Sequence, residues 1–246
     1  MEKLHKKDLL WMIWRTFYIQ GSWNYERMLN LGFVYCLMPI IKRLYTDPEG
    51  RKAFLKRHLQ YFNAHPYFAS FALGVVARLE EKGAAEKWTD FSSIDKFKMR
   101  ISSSLGALGD RLFWGMIKPI IGVLGVFLTL LLGIVGPIFM IVGYNIPHIY
   151  LRYYGVMRGY KKGFDVISEL SVRRYKKYFD NLGKLSLFAV GILGGFLLIS
   201  AGKSGIQTSV LFILSGAITY FILIMRKSFY FAFILAVLLM FGMALI

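Results

Sequence analysis

Cysteine and histidine are scarce in this chain of 246 residues, which has one cysteine, Cys36, and four histidines. A single thiol excludes an intramolecular disulfide and a cysteine-based metal cluster. The histidines form no HExxH motif and no pair four residues apart, so their spacing does not indicate a metal site. A GxxxxGKS/T nucleotide-binding loop is also missing. We therefore expect no metal, no cofactor and no catalytic residue in this chain.

Acidic residues are also few, since 14 Asp and Glu oppose 31 Lys and Arg and leave a net charge of +17. In a soluble protein this charge would indicate nucleic acid as a partner. However, 56% hydrophobic and only 18% charged residues make the chain far too apolar for an ordinary soluble domain. Basic residues of membrane proteins fix orientation and face anionic lipid head groups. We therefore predict a membrane protein that contacts lipids and binds no nucleic acid.

Long stretches without Asp, Glu, Lys or Arg are present, and about 20 apolar residues suffice for a helix to cross a bilayer. These stretches are Pro119–Leu151, Leu185–Gly202, Ser204–Met225 and Ser228–Ile246. The first is longer than one straight span and contains Gly133, Gly136 and Pro137, so we expect it to be tilted, kinked or broken. The sequence thus predicts an all-α integral membrane protein with several transmembrane helices.

The N-terminal half, residues 1–118, mixes charged, aromatic and apolar residues, whereas residues 119–246 are mainly uninterrupted apolar stretches. Its two apolar runs, Met28–Ile41 and Pro66–Leu79, are short for a full span and typical of re-entrant, interfacial or protein-buried helices. The charged segment Glu80–Asp95 is predicted to be a solvent-exposed turn. We expect short re-entrant or interfacial amphipathic helices in this half.

Basic residues are concentrated between Pro147 and Lys184, where nine Lys and Arg face three acidic residues. Loops with such an excess of Lys and Arg remain in the cytoplasm. We therefore predict a cytoplasmic loop at about residues 147–184. The apolar stretches that follow it would then leave the C-terminus outside, in a multi-pass arrangement.

Three segments combine polar side chains with aromatic residues and glycines. They are Gln20–Arg27, Phe62–Phe68 and Leu108–Gly115. Sugar sites use this mixture, because amides and carboxylates bind hydroxyl groups while aromatic rings cover the apolar face of the sugar ring. Capped helices with Trp and Tyr at the membrane interface have the same composition. From the residue types alone, both interpretations stay open.

Five ordered segments resemble the IID subunit of the mannose/fructose/sorbose-type permeases of the sugar phosphotransferase system. They are QGSWNYERM (Gln20–Met28), KRLY (Lys42–Tyr45), RHLQYFNAHPYF (Arg57–Phe68), LGALGDRLFWGMIKPI (Leu105–Ile120) and RYYGVMRGYKKGFDVI (Arg152–Ile167). The resemblance implies that residues 1–246 form a single IID-type membrane domain in a bacterial inner (plasma) membrane.

The family resemblance also implies partners. A IIC membrane subunit would form the pathway for a mannose-type hexose together with this chain, with IIC–IID pairs joined in a higher oligomer. Soluble IIA and IIB proteins would relay phosphate to the arriving sugar on their own histidines. His65 is therefore expected to be a hydrogen-bonding or helix-start residue and not a phosphate relay.

Within the three polar segments, seven residues are candidates for contact with the sugar. These candidates are Trp23, Asn24, Glu26, Asn63, His65, Asp110 and Trp114. The polar side chains would bind hydroxyl groups, and the two tryptophans would serve as ring platforms. Asn63 has two possible roles, because it could cap a helix over Pro66–Leu79 or hold a pair of sugar hydroxyls with its amide.

The chain departs from the family pattern GPLAGxGDPxFWG within Ser103–Gly115. Ser103 and Ser104 replace a Gly-Pro pair, and Arg111 replaces the Pro that follows the Asp. Arg111 would bring a permanent charge near the pathway. These changes leave the sugar open, and they allow an alternative function as a regulatory or scaffold protein that kept the IID fold but lost transport.

Overall fold

The computed structural model describes residues 3–170 and 174–202, together with residues 210 and 214. The chain divides into two compact units, residues 1–186 and 187–246, and the packing below is that of the first. The predicted spans Ser204–Met225 and Ser228–Ile246 lie outside the described residues, apart from residues 210 and 214, and so do residues 171–173 of the predicted loop.

Helices form every regular element in the described part of the chain. They are α1 Lys6–Arg15, α2 Asn30–Leu44, α3 Pro48–His58, α4 Ala69–Ala85, α5 Ser92–Gly109, α6 Lys118–Leu132, α7 Val135–Lys162 and α8 Lys176–Gly202, with a π-helical segment Asp110–Ile117 and short 3-10 segments Thr16–Tyr18 and Gly163–Glu169. The predicted all-α class is therefore confirmed for these residues.

Helix α4 is the centre of the fold, because 13 of its 17 residues are buried. It packs against α7 through small residues, and a side chain added at Gly74, Gly155 or Gly159 would overlap the other helix. Such contacts allow close approach of two helix backbones in membrane proteins. The predicted exposed turn Glu80–Asp95 is confirmed only in its middle, where residues 86–91 connect α4 to α5 and are mostly exposed, because α4 continues to Ala85 and buries the Glu80 side chain completely.

Helices α6 and α7 form a hairpin within the apolar stretch Pro119–Leu151. The stretch is broken at Gly133, which has a φ of +59° that favours glycine. Beyond the break, Gly136 lies so close to Thr129 and the Gly125 carbonyl that a larger residue would overlap them. The predicted break is thus confirmed, and the glycines on either side of it bring the two helices together.

The hairpin exposes a belt of large apolar side chains, as expected of a surface that faces lipid or another subunit. This apolar belt consists of Val126, Leu130, Leu131, Leu132, Ile134, Val135, Ile138, Ile141, Val142, Ile146 and Ile149. The segments α5, the π-helical segment and α6 follow one another without a break as one helix, Ser92–Leu132. Among the described residues, this one helix is long and apolar enough to cross a membrane, by length and composition. The prediction of several spans therefore stays a prediction.

The predicted cytoplasmic loop 147–184 is largely helical where it is described. Helix α7 runs without interruption to Lys162, and α8 begins at Lys176. An ion cluster joins Arg158 and Lys162 to Glu169, with an Arg158 Nη2 to Glu169 Oε1 distance of 2.8 Å. Apolar periodicity did not reveal this helical extension, because its residues are mostly charged or aromatic.

The C-terminal part of α4 is held in place by a buried charged residue, Glu80. Its carboxylate accepts hydrogen bonds from the Arg57 guanidinium at 2.8 and 2.9 Å, from His58 Nε2 at 2.9 Å and from the Tyr45 hydroxyl at 2.6 Å. Burial favours the neutral carboxyl, but the bonds from His58 and Arg57 outweigh it and lower the pKa of Glu80 to about 2. This Glu80 cluster ties α2 and α3 to α4.

Candidate functional site

A cleft with a volume of about 620 Å³ lies along one face of α5 and the π-helical segment. The residues of α5 and the π-helical segment that line it recur at helical spacing: Lys98, Met99, Ser102, Ser103, Gly106, Ala107, Asp110 and Trp114. Residues four apart lie on one face of a helix. The 12 helical steps from Lys98 to Asp110 span about 18 Å. The opposite wall consists of Gln20, Trp23, Leu29, Tyr61 and residues 63–66.

The two loop segments of the opposite wall are held together by backbone hydrogen bonds. Leu29 N–H donates to the Phe62 carbonyl at 2.9 Å, and Met28 forms an isolated bridge with Phe62. Asn24 stabilises the turn before them, since its Oδ1 accepts from Arg27 N–H at 2.8 Å and its Nδ2 donates to Asn30 Oδ1 at 3.1 Å. The first two polar-aromatic segments of the sequence therefore meet at one wall.

Five of the seven candidate residues line the cleft, although they come from three separate segments of the chain. These five are Trp23, Asn63, His65, Asp110 and Trp114. Asn24 and Glu26 are not among the lining residues. Asn24 stabilises the turn, and Glu26 is exposed and paired with Arg27 at 3.1 Å. The grouping of the five is a property of the fold, while their contact with sugar stays a prediction.

Asn63 does not cap α4. The helix begins at Ala69, and its N-cap residue, Phe68, makes no side-chain cap hydrogen bond. The Asn63 carbonyl instead accepts a hydrogen bond from the Ser102 hydroxyl, which fixes the Asn63 backbone against α5. Within the described residues the Asn63 amide is exposed in the cleft and makes no hydrogen bond, so its donor and acceptor are both available.

His65 starts the turn that leads into α4, as expected of a helix-start residue. Its carbonyl accepts from Ala69 N–H at 2.9 Å, and its Nδ1 accepts from Tyr67 N–H at 3.3 Å. The side chain is 2% exposed. Burial and the nearby Arg152 charge lower the pKa of His65 to about 4, so the imidazole is neutral at physiological pH.

A buried arginine that the sequence analysis missed lies behind this wall. Arg152 is 4% exposed and donates to the Thr16 carbonyl. Its guanidinium carbon lies 4.9 Å from the Phe17 ring centre and 4.8 Å from that of Tyr67, and Tyr67 in turn shares a 3.0 Å hydrogen bond with Tyr144. Arg152 thereby joins the N-terminal segment to the residues that support His65.

Lys98 was also missed, although the repeat Lys98, Ser102, Gly106, Asp110 places it on the cleft face of α5. It is 3% exposed, and its ammonium group donates to the Arg57 carbonyl at 3.3 Å. Polar or small residues at every fourth position were the available signal. The cleft thus has a buried cation at one end and the Asp110 carboxylate at the other.

Arg111 does not line the cleft. Its guanidinium lies 4.8 Å from the Phe179 ring centre and 3.8 Å from Asp180 Oδ1, both on α8. Of the three departures from the family pattern, only Ser103 contributes to the lining. Arg111 therefore acts as a contact between the π-helical segment and α8.

Comparison with known proteins assigns most of the chain to the family that its sequence segments resemble. Residues 3–201 match the mannose/fructose/sorbose family IID component of the phosphotransferase system. The mannose-specific EIID component of Escherichia coli (strain K12) is 35% identical over 193 residues, which are 78% of this chain and 68% of that protein. The fructose permease IID component of Bacillus subtilis (strain 168) is 34% identical over 192 residues, 78% of this chain and 70% of that protein.

Solved structures agree with the sequence relatives. A cryo-electron microscopy structure of the mannose transporter ManYZ with microcin E492 contains a chain that is 35% identical, with a TM-score of 0.65 over 79% of this chain and 71% of that one. A structure described as a membrane protein gives a TM-score of 0.72 at 35% identity, over 78% of this chain and 71% of that one. This chain therefore belongs to the mannose/fructose/sorbose family of phosphotransferase system IID components, which are membrane proteins.

Proposed function

We propose that this subunit forms, with a IIC subunit, the membrane pathway that takes up a mannose-type hexose, and that the sugar contacts the α5 cleft. Cytoplasmic IIA and IIB proteins would pass phosphate from phosphoenolpyruvate to the arriving sugar. The observation that carries the proposal is the meeting of Asn63, Asp110, Trp23 and Trp114 in one cleft.

The chemistry of the cleft suits a sugar. Asp110 offers acceptors for hydroxyl protons, and the Asn63 amide offers one acceptor and two donors. Trp23 and Trp114 are 43% and 49% exposed, so their rings are available to cover the apolar face of a pyranose. A few placed polar groups beside aromatic surface are typical of small-molecule sites.

The apolar belt on α6 and α7 supports both a IIC partner and a multi-pass arrangement. The 28-residue helix α7 is about 42 Å long, which exceeds the hydrocarbon thickness of a bilayer. Its exposed apolar half requires cover by lipid or protein, and the related mannose transporter structure is that of a complex named ManYZ. We infer that α6, α7 and α8 cross the membrane beside IIC, as part of a higher oligomer of IIC–IID pairs.

The test is phosphoenolpyruvate-dependent uptake of mannose, fructose and sorbose by cells that co-express this chain with its IIC, IIB and IIA partners. Asp110→Asn and Asn63→Ala should each lower uptake about tenfold or more, because each removes a hydrogen-bonding group from the sugar. Glu26→Gln is the control, since Glu26 also lies in a segment that resembles the family but is not in the cleft lining. Complex yield is measured for every variant.

Each outcome of this test is informative. Normal uptake by Asp110→Asn and Asn63→Ala would contradict a role for the cleft in transport. A wild-type complex that assembles in full yield but takes up none of the three sugars would favour the regulatory or scaffold function instead.

A further inference from the structure

The imidazole of His65 is held on several sides by the surrounding protein. Its ring stacks on Phe113 with the ring centres 5.5 Å apart, and it meets Tyr67 edge to face at 4.8 Å. Gly109 of α5 lies so close that any side chain there would overlap the imidazole. Together with the hydrogen bond from Tyr67 N–H to Nδ1, these contacts fix both the position and the orientation of the ring.

The same hydrogen bond determines where the imidazole proton lies. Because Nδ1 accepts from Tyr67 N–H, the neutral ring carries its proton on Nε2. Nε2 is buried and has no hydrogen-bond partner within the described residues. An unsatisfied buried donor is costly, and such a group on the wall of a cleft indicates a ligand that supplies the missing acceptor.

Two further candidate residues, Asp110 and Trp114, line the same cleft as His65. Asp110 follows Gly109 directly, and the Trp114 ring centre is 5.1 Å from that of His65. Both belong to the π-helical segment, an irregularity that occurs often at functional sites. Trp114 is 49% exposed whereas Phe113 is 1% exposed, so a displacement of Trp114 would leave the buried core intact.

We propose that the sugar binds at this end of the cleft, with the His65 Nε2–H donating to a sugar oxygen and Asp110 accepting from a hydroxyl. Trp114 moves from the edge of the imidazole onto the sugar ring and thereby uncovers Nε2. A neutral donor beside a single carboxylate suits an uncharged hexose and disfavours a sugar that carries its own anionic group there. This inference rests on the proposed function and assigns its specificity to His65.

Two substitutions separate the binding role of His65 from its structural role. In His65→Asn, the side-chain oxygen can take the place of Nδ1 and accept from Tyr67 N–H, but the donor at Nε2 is lost. In His65→Gln, the amide N–H can take the place of Nε2, but the bond to Tyr67 is lost. We expect His65→Asn to assemble normally with an apparent KM for uptake about tenfold higher, and His65→Gln to stay within about threefold of wild type.

Deoxy analogues then identify the sugar oxygen. With mannose as the reference substrate, the analogue that lacks the accepting oxygen should compete about tenfold more weakly than mannose in the wild-type complex. In His65→Asn the same analogue and mannose should compete equally, because the contact is already absent. If another sugar of the panel is the one taken up, its deoxy series replaces that of mannose.

Opposite results would overturn the inference. Uptake that is normal in His65→Asn and impaired in His65→Gln would make His65 a helix-start residue only, while leaving the proposed function intact. A deoxy penalty that persists unchanged in His65→Asn would do the same. Loss of uptake in the wild-type complex itself would instead contradict the proposed function, and this inference would fail with it.

Discussion

The buried polar groups at the two ends of α4 differ in their hydrogen bonding. At the C-terminal end, the Glu80 carboxylate accepts four hydrogen bonds and faces a guanidinium. At the N-terminal end, His65 Nε2 is buried without a partner and the Asn63 amide is open to the cleft. Both ends lie beside motifs that resemble the family, so motif content does not distinguish them.

The kind of atom left without a partner does distinguish the two ends, because it is an acceptor, His58 Nδ1, at the Glu80 end and a donor, Nε2, at the His65 end. A buried charge with all its acceptors occupied stabilises one arrangement of helices and has nothing left to bind a ligand. A buried donor without a partner, beside open polar groups, lowers stability until a ligand arrives. We therefore expect the Glu80 end to determine folding and the His65 end to determine binding.

The largest expected effect is on the stability of the Glu80 end. Glu80→Gln should destabilise the protein by about 3–5 kcal/mol, because it leaves the Arg57 guanidinium buried without a counter-charge. Thermal unfolding of the purified IIC complex measures this. Glu86→Gln is the control, since the Glu86 side chain is 53% exposed and its pair with Lys82 contributes little. Equal melting temperatures for Glu80→Gln and wild type would contradict the comparison.

Acid should destabilise the fold through its neutral histidines. Burial lowers the pKa of His58 and of His65 to about 4, so between about pH 4 and 6.5 the unfolded chain binds protons that the folded chain does not. Stability then rises with pH through this window. At pH 5 each histidine should cost about 2 kcal/mol relative to pH 7.5.

The melting temperature of the complex at the two pH values tests this prediction. It should be lower at pH 5, and His65→Asn should show a smaller drop because the His65 imidazole no longer contributes. A melting temperature that is the same at both pH values would show that the histidines are not buried as neutral groups.

A smaller effect is expected at Arg111. Its pair with Asp180 is half-exposed and 3.8 Å long, and its contact with Phe179 is a single cation–π interaction. Arg111→Ala should therefore lower stability by about 1 kcal/mol or less and leave the sugar preference unchanged. A changed preference among mannose, fructose and sorbose in the uptake assay would show that Arg111 contributes to the sugar pathway.

The smallest effect should follow from Glu26→Gln. Glu26 is exposed, and its partner Arg27 is adjacent in the chain, so the loss should be within about 0.5 kcal/mol. Mannose uptake should equal that of wild type. A loss comparable to that of Asp110→Asn would mean that the loop at Gln20–Arg27 contacts sugar outside the cleft.

Sequence alone was sufficient for the helical class, for the break in Pro119–Leu151 and for five of the 16 residues that line the cleft. Each of these depends on local patterns: apolar runs, glycines, or polar residues among aromatics. Glu80 could not be placed from sequence, because its burial depends on partners from two other helices. The contacts of Arg111 could not be predicted for the same reason, since Phe179 and Asp180 are about 70 residues away in the chain.

The most direct test of the central claim is protection of the cleft by sugar. On a Cys36→Ala background, Ala107→Cys places a thiol in the α5 cleft, and Ala53→Cys places one in the separate cleft beside Arg57 at the other end of the fold. Both are labelled with a maleimide in the solubilised complex, with and without mannose. We predict that mannose slows labelling of Ala107→Cys and leaves Ala53→Cys unchanged. Equal labelling rates of Ala107→Cys with and without mannose, in a complex that still takes up mannose in cells, would contradict the assignment of the α5 cleft as the sugar site.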